Sequence, residues 1–129
     1  MWFSAAIAVA SGGALGALSR FGTVFLSQTL LKTRFPVGTL LVNCLGSFLI
    51  GLLMHLFLER YADQAHWRLF WVVGFLGAYT TFSSYAWETW VLYENGQWLG
   101  AVLNIMLNNC MTLLLVLIGI QSGRWLGGV

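Results

Sequence analysis

The chain has 129 residues, of which 59% are hydrophobic and 8% are charged. A soluble globular domain carries about 25% charged residues and needs polar groups to cover its surface. Six Lys and Arg with four Asp and Glu cannot cover a domain of this size, and a net charge of +2 is too small to attract nucleic acid. The composition therefore excludes a soluble enzyme, a disordered segment and a nucleic-acid binder, and it indicates an integral membrane protein.

The charged residues divide the chain into four long apolar segments. Residues 2–31 contain one charge, and residues 35–58, 69–87 and 95–123 contain none. A helix crosses the hydrocarbon core of about 30 Å with about 20 apolar residues. The sequence therefore predicts one all-α domain over 1–129 with four transmembrane helices and both termini on one side. The predicted spans cover approximately 3–31, 36–58, 68–92 and 97–123.

Positively charged residues are distributed almost evenly between the two sides of the predicted bundle. Arg60, Arg68 and Arg124 lie on the side of the termini, and Lys32 and Arg34 lie on the other side. Orientation follows an excess of Lys and Arg on one side, so this balance leaves two arrangements open. Either the chain inserts in both orientations, which permits an antiparallel homodimer, or another feature sets one orientation.

Three of the predicted spans carry polar side chains at helical spacing. Residues three or four apart share one face of a helix, and polar groups in hydrocarbon face a partner helix, a cavity or a substrate path. Such stripes either hold helices together or line a hydrated path, and the presence of three favours the path. The stripes are Thr39, Asn43 and Ser47 in span 2, Thr81, Ser84 and Glu88 in span 3, and Asn104, Asn108 and Thr112 in span 4.

Most side chains of the stripes are neutral hydrogen-bond donors. Amides and hydroxyls donate to anions, and Glu88 is the one carboxylate among them. The positive ring edges of Phe82 and Tyr85 lie near the stripe of span 3, whereas Asn109 lies on another face of span 4 and is assigned to packing. The sequence contains no cluster of transition-metal ligands and no pairing of a nucleophile with a base, so the protein is not expected to be an enzyme.

The middle of span 3 is unfavourable for a continuous helix. Gly74, Gly77 and the adjacent Thr80 and Thr81 all have low helix propensity. Either the helix is broken near its middle, where freed backbone carbonyls can hold a cation, or the helix is unbroken and its hydroxyls bond back to the preceding turn.

Three stretches of the sequence resemble the Fluc/CrcB family of fluoride channels. The resemblance covers nearly the whole chain, and its Thr-Thr-Phe-Ser motif downstream of a glycine pair is specific. The stretches are 12–21 (GGALGALSRF), 36–43 (PVGTLLVN) with Gly46, Ser47, Phe48 and Gly51, and 74–77 (GFLG) through 80–83 (TTFS) to Glu88.

The resemblance implies a passive, fluoride-selective channel that exports fluoride from the cytoplasm and lowers its toxicity. It implies an antiparallel homodimer in the inner membrane, with two pores, a break in helix 3, and a central structural sodium ion held by the backbone carbonyls of Gly77 and Thr80. In each pore Asn43 donates to fluoride, Phe82 is the first aromatic ring, and Tyr85 stands where a second Phe is usual. The other implied pathway residues are Thr39, Thr81, Ser84, Glu88, Asn104, Asn108 and Thr112, with Arg20 in a vestibule.

Three other functions compete with the channel. A proton-coupled fluoride exchanger would use Glu88 as its proton carrier. A small four-helix drug exporter would rely on a carboxylate in helix 1, and span 1 has no acidic residue. In a non-transporting assembly subunit, the polar stripes would serve only as contacts between helices.

Overall fold

The computed structural model describes residues 1–128, and these residues form helices joined by short turns. Three of the helices are long and apolar enough to cross a membrane: Trp2–Leu31, Val37–Glu59 and Trp98–Gly127. In chain order the elements are α1 (Trp2–Leu31), α2 (Val37–Glu59), α3 (Ala65–Arg68), a π-helical segment (Leu69–Leu76), α4 (Gly77–Tyr79), α5 (Phe82–Glu94) and α6 (Trp98–Gly127).

The chain between α2 and α6 consists of short helical pieces. At Thr80 and Thr81 the backbone is extended, with φ −82° and ψ 157° at Thr80 and φ −150° and ψ 119° at Thr81. We call these two residues the Thr80–Thr81 interruption. Two adjacent β-branched residues that follow two glycines favour a departure from helical geometry at this point. The π-helical segment just before α4 was not foreseen from the sequence.

Glycines allow α1 to contact the backbone of the π-helical segment. A Cβ atom on Gly12 would collide with the carbonyl group of Phe70, and one on Gly16 would collide with that of Phe75. A Cβ atom on Gly74 would lie 2.6 Å from the carbonyl oxygen of Val9. The Gly-x-x-x-Gly spacing in α1 is therefore a packing surface within one chain, as small residues at helix interfaces generally are.

The second close helix pair is formed by α2 and α6. Gly51 in α2 faces the carbonyl of Val116, and Gly119 in α6 faces the carbonyl of Phe48, so each helix presents a glycine to the backbone of the other. The polar stripes of α2 and α6 lie along the same pair of helices, and this close contact brings them together, with Asn43 hydrogen-bonded to Asn108.

The single chain buries polar side chains beside apolar ones and exposes many large apolar side chains, unlike a soluble protein. Thr39 and Asn104 are 2% and 0% exposed, while large apolar side chains cover the outside of the long helices. Such a distribution suits a lipid-facing exterior and a polar interior. The outward apolar side chains include Leu18, Phe21 and Phe25 on α1 and Leu113 and Leu117 on α6.

We expect Gly16→Val to destabilise the protein, because its side chain would have to displace the Phe75 backbone. Overpacking of this kind costs about 1–3 kcal/mol in well-packed interiors. The measurement is the temperature at which half of the detergent-purified protein loses its monodisperse elution. The matched control is Gly22→Val, since a Cβ atom on Gly22 meets nothing within 4 Å. Equal midpoints for the two variants would contradict this packing.

Candidate functional site

The side chain of Asn43 is hydrogen-bonded to the backbone of Thr81 in two directions. Its Nδ2 donates to the Thr81 carbonyl at 3.0 Å, and its Oδ1 accepts from the Thr81 N–H at 2.8 Å. The amide therefore donates to and accepts from Thr81 in the same way as the peptide group of a neighbouring β-strand would. It satisfies an extended residue whose backbone groups have left the helical pattern.

The Thr80–Thr81 interruption removes the usual helical donors from several carbonyl groups, among them those of Gly77 and Thr80. In a continued helix the N–H of Thr81 would bond to the carbonyl of Gly77, but it donates to Asn43 instead. The N–H of Ser84 would bond to the carbonyl of Thr80, but it donates at 3.2 Å to the hydroxyl of Thr81, which caps α5. These carbonyls are the two that the family resemblance assigns to sodium.

A chain of amides extends from Asn43 through α6 to α5. Asn43 Nδ2 donates to Asn108 Oδ1 at 2.9 Å, Asn108 Nδ2 donates to Asn104 Oδ1 at 3.0 Å, and Asn104 Nδ2 donates to Thr89 Oγ1 at 2.9 Å. Asn104 and Asn108 are buried. Buried amides with satisfied partners specify one arrangement of the helices around them.

A cavity of about 320 Å³ lies beside these amides. The ring of Phe82 is 76% exposed in the single chain and meets the ring of Tyr85 edge-on, with centroids 5.2 Å apart and an interplanar angle of 68°. The hydroxyl of Thr112 donates to the carbonyl of Asn108. Polar residues that line the cavity are Asn43, Ser47, Thr80, Thr81, Tyr85, Asn108, Asn109 and Thr112.

Glu88 and Thr39 form a second hydrogen-bonded polar pair. The hydroxyl of Thr39 donates to Glu88 Oε1 at 2.7 Å. Glu88 Oε2 is buried and has no hydrogen-bond partner within residues 1–128. Glu88 lines two further cavities, of about 650 and 160 Å³, and Arg34 lines both of them as well. Ser84 lies one turn before Glu88 in α5 and accepts a hydrogen bond from the Thr81 hydroxyl at 3.0 Å.

The structure thus brings most of the sequence-predicted site residues together, but it leaves Arg20 apart. Arg20 is half-buried on α1 and is not among the residues that line these three cavities. Sequence reasoning missed Asn109, which lines the first cavity and donates to the Tyr85 hydroxyl at 3.1 Å. It lies about 100° around α6 from Asn108, and Tyr85 of α5 reaches that side of the helix. The sequence did offer a signal for this contact: a hydroxyl at Tyr85 and an additional amide in span 4 that could hydrogen-bond to it.

No group of three or more His, Cys, Asp or Glu side chains capable of holding a metal ion occurs in the part of the chain that the structure describes. The freed carbonyls of Gly77 and Thr80 are hard oxygen ligands that suit a hard cation. These carbonyls therefore suit a hard cation, the class to which sodium belongs, better than a transition metal.

Comparisons with known proteins relate the chain to one family along almost its whole length. The family model described as CrcB-like protein, Camphor Resistance (CrcB) matches residues 7–120. The chain is 46% identical over 119 residues to a protein of Legionella pneumophila (strain Paris), covering 92% of this chain and 89% of that protein. It is 44% identical over 118 residues to a protein of Dehalococcoides mccartyi, covering 92% and 91%. Both relatives bear the name fluoride-specific ion channel FluC.

We expect Asn43→Ala to lower thermal stability, because it leaves the N–H and the carbonyl of Thr81 without partners. Each unsatisfied buried group costs about 1–3 kcal/mol. The control is Thr29→Ala, which removes a hydroxyl whose hydrogen bond reaches only its own helix, at the Phe25 carbonyl. If Asn43→Ala melts at the temperature of the control, the hydrogen bonds to Thr81 do not stabilise the fold.

Proposed function

This chain belongs to the CrcB family, and we propose that it is a passive, fluoride-selective channel in a membrane. It is an ion channel by family and not an enzyme. The observation that carries the proposal is the cavity beside the Thr80–Thr81 interruption, in which neutral amide and hydroxyl groups and two aromatic rings lie among aliphatic side chains. Fluoride enters a cell as the neutral acid and is trapped inside as the anion, so a passive path lowers its concentration in the cytoplasm.

Neutral donors suit the physical chemistry of fluoride. The anion is small and tightly hydrated, so a pore has to replace its water with close donors and still release it. Both amide hydrogens of Asn43 are engaged, one with Thr81 and one with Asn108. Fluoride at Asn43 therefore replaces an internal hydrogen bond, and this competition keeps the site shallow enough for the ion to leave.

The aromatic rings contribute a second kind of contact. The edge of an aromatic ring carries partial positive charge, and the exposed ring of Phe82 lies at the mouth of the cavity beside the buried ring of Tyr85. We assign these two rings to the pore together with Asn43. Thr39, Thr81, Ser84, Glu88, Asn104, Asn108 and Thr112 form the polar track along it, and Arg20 lies in a vestibule.

A homodimer completes this pathway. In the single chain Phe82 and Gly77 are exposed beside an open cavity with amide and hydroxyl groups in its wall, and open polar groups at membrane depth are costly. A second copy covers that surface through a two-fold axis. The near balance of Lys and Arg between the two sides permits the copies to insert antiparallel, which gives two pores related by symmetry.

The membrane arrangement follows from the same reasoning. Residues 68–92 form the third span, which the Thr80–Thr81 interruption breaks near its middle, so that 1–129 is one domain with four spans at approximately 3–31, 36–58, 68–92 and 97–123. The bacterial sources of the relatives support an inner-membrane location.

Sodium is the structural ion that fits the interruption. The carbonyls of Gly77 and Thr80, which lack their helical donors, would hold it together with those of the second copy. The bound cation supplies positive charge that satisfies these oxygens at the dimer centre.

The test is fluoride efflux from liposomes that contain the purified protein, with chloride and internal pH as parallel readouts. We expect voltage-driven fluoride efflux without chloride or obligatory proton movement. Phe82→Ala should reduce the flux about tenfold, which corresponds to an aromatic contact of about 1.5 kcal/mol. The control is Phe21→Ala, which removes an exposed ring on α1.

The same assay separates the competing functions. Fluoride flux locked to proton movement, and uncoupled by Glu88→Gln, would replace the channel with an exchanger. No flux of any ion from a well-folded protein would leave the polar contacts as helix-packing groups and contradict the proposal.

We expect fluoride flux to fall when sodium is replaced by N-methylglucamine on both sides of the liposome membrane, because the carbonyls of Gly77 and Thr80 then lose their cation. Restoring sodium to the same liposomes should restore the flux. Equal fluxes in the two media would argue against a sodium ion at the interruption.

A further inference from the structure

Tyr85 carries a hydroxyl at a position where the family resemblance has an aromatic ring alone. Its side chain is 8% exposed and lines the cavity beside the interruption. The ring lies edge-on to Phe82, so the hydroxyl is held within the group of residues assigned to the pore. What this hydroxyl does depends on where its single hydrogen is directed.

The hydrogen bonds of Asn109 determine the role of the Tyr85 oxygen. Asn109 Nδ2 donates to the Ile105 carbonyl at 2.8 Å and to the Tyr85 hydroxyl oxygen at 3.1 Å. A carbonyl can only accept, so the amide atom beside Ile105 has to be the nitrogen, and the amide cannot be turned over without losing this bond. Both hydrogens of Nδ2 are thereby engaged, and the Tyr85 oxygen is an acceptor from Asn109.

The hydroxyl hydrogen of Tyr85 is consequently directed away from Asn109. Within residues 1–128 the Tyr85 hydroxyl makes no hydrogen bond other than the one that it accepts from Asn109. The amide hydrogens of the neighbouring side chains are already engaged, those of Asn43 with Thr81 and Asn108, and those of Asn108 with Asn104. Tyr85 therefore presents an uncommitted donor at the cavity, whereas these two amides do not.

We propose that the Tyr85 hydroxyl donates directly to the anion in the pathway and that Asn109 is the residue that positions it. The hydrogen bond from Asn109 occupies the phenol oxygen, prevents its hydrogen from turning toward α6, and strengthens it as a donor through polarisation. This inference rests on the proposed channel function. It assigns a role to Asn109, and it makes the second ring of this pore a hydrogen-bonding site rather than only a ring edge.

The consequence is a deeper fluoride site at the second ring. Fluoride is a strong acceptor, and a net hydrogen bond of about 0.5–1.5 kcal/mol corresponds to about a two- to tenfold change in binding. Tyr85→Phe should still conduct, but its flux should reach half of its maximum at a fluoride concentration about two- to tenfold higher than in the unmodified protein.

Asn109→Leu should shift the half-saturating concentration in the same direction by a smaller factor, because the hydroxyl remains but is no longer oriented. Combined with Tyr85→Phe, it should add nothing, since there is then no hydroxyl to position. A residue that only packs would instead change the folded yield equally in both backgrounds. The matched control is Tyr93→Phe, which removes a hydroxyl from an exposed ring outside the cavity.

The experiment is efflux over a range of internal fluoride concentrations, with monodisperse elution checked for every variant. A higher half-saturating concentration for Tyr85→Phe, with no further effect of Asn109→Leu in that background, supports the proposal. An unchanged value for Tyr85→Phe in a conducting protein overturns the donor role while leaving the channel intact. Additive effects of the two substitutions overturn the positioning role of Asn109. Absence of flux in the unmodified protein overturns the channel function itself, and this inference with it.

Discussion

The paired hydrogen bonds between the Asn43 side chain and the Thr81 backbone are the interaction on which the rest of the site depends. An extended residue between two helices has peptide groups with no helical partner, and hydrocarbon offers no water to satisfy them. Asn43 meets this need because an amide side chain carries the same donor and acceptor as a peptide group. The carbonyls of Gly77 and Thr80 lose their helical donors at the same place.

This use of Asn43 has a consequence for how an anion is bound. A side chain that holds the backbone together cannot also offer free donors, so an ion at Asn43 competes with internal hydrogen bonds. The Tyr85 hydroxyl lies outside this network of amide hydrogen bonds. The Tyr85 hydroxyl has its oxygen engaged and its hydrogen free, so it can bind without breaking an existing contact. In the proposed pathway, shallow, exchangeable sites are thereby combined with one oriented donor, and conduction needs binding that the ion can leave.

Glycine packing brings these groups within reach of one another. Gly51 and Gly119 let α2 and α6 approach until their backbones are in contact, and Gly12 and Gly16 do the same for α1 and the π-helical segment. With helices this close, the short side chains of Asn43 and Asn108 span the gap directly at 2.9 Å. A larger distance between the helices would leave these buried amides without hydrogen-bond partners, which costs free energy.

The sequence by itself determined the class of protein, the long apolar helices, the polar stripes and the family. Composition indicates that the protein lies in a lipid bilayer, and helical periodicity indicates which side chains of one helix share a face. Only the tertiary structure decided which polar groups pair: Asn43 with the Thr81 backbone, Thr39 with Glu88, and Asn109 with Tyr85. These pairings depend on the rotation and axial offset of one helix against another. Periodicity within a single helix carries no information on either quantity, which is why Asn109 was assigned to packing and the π-helical segment was not foreseen.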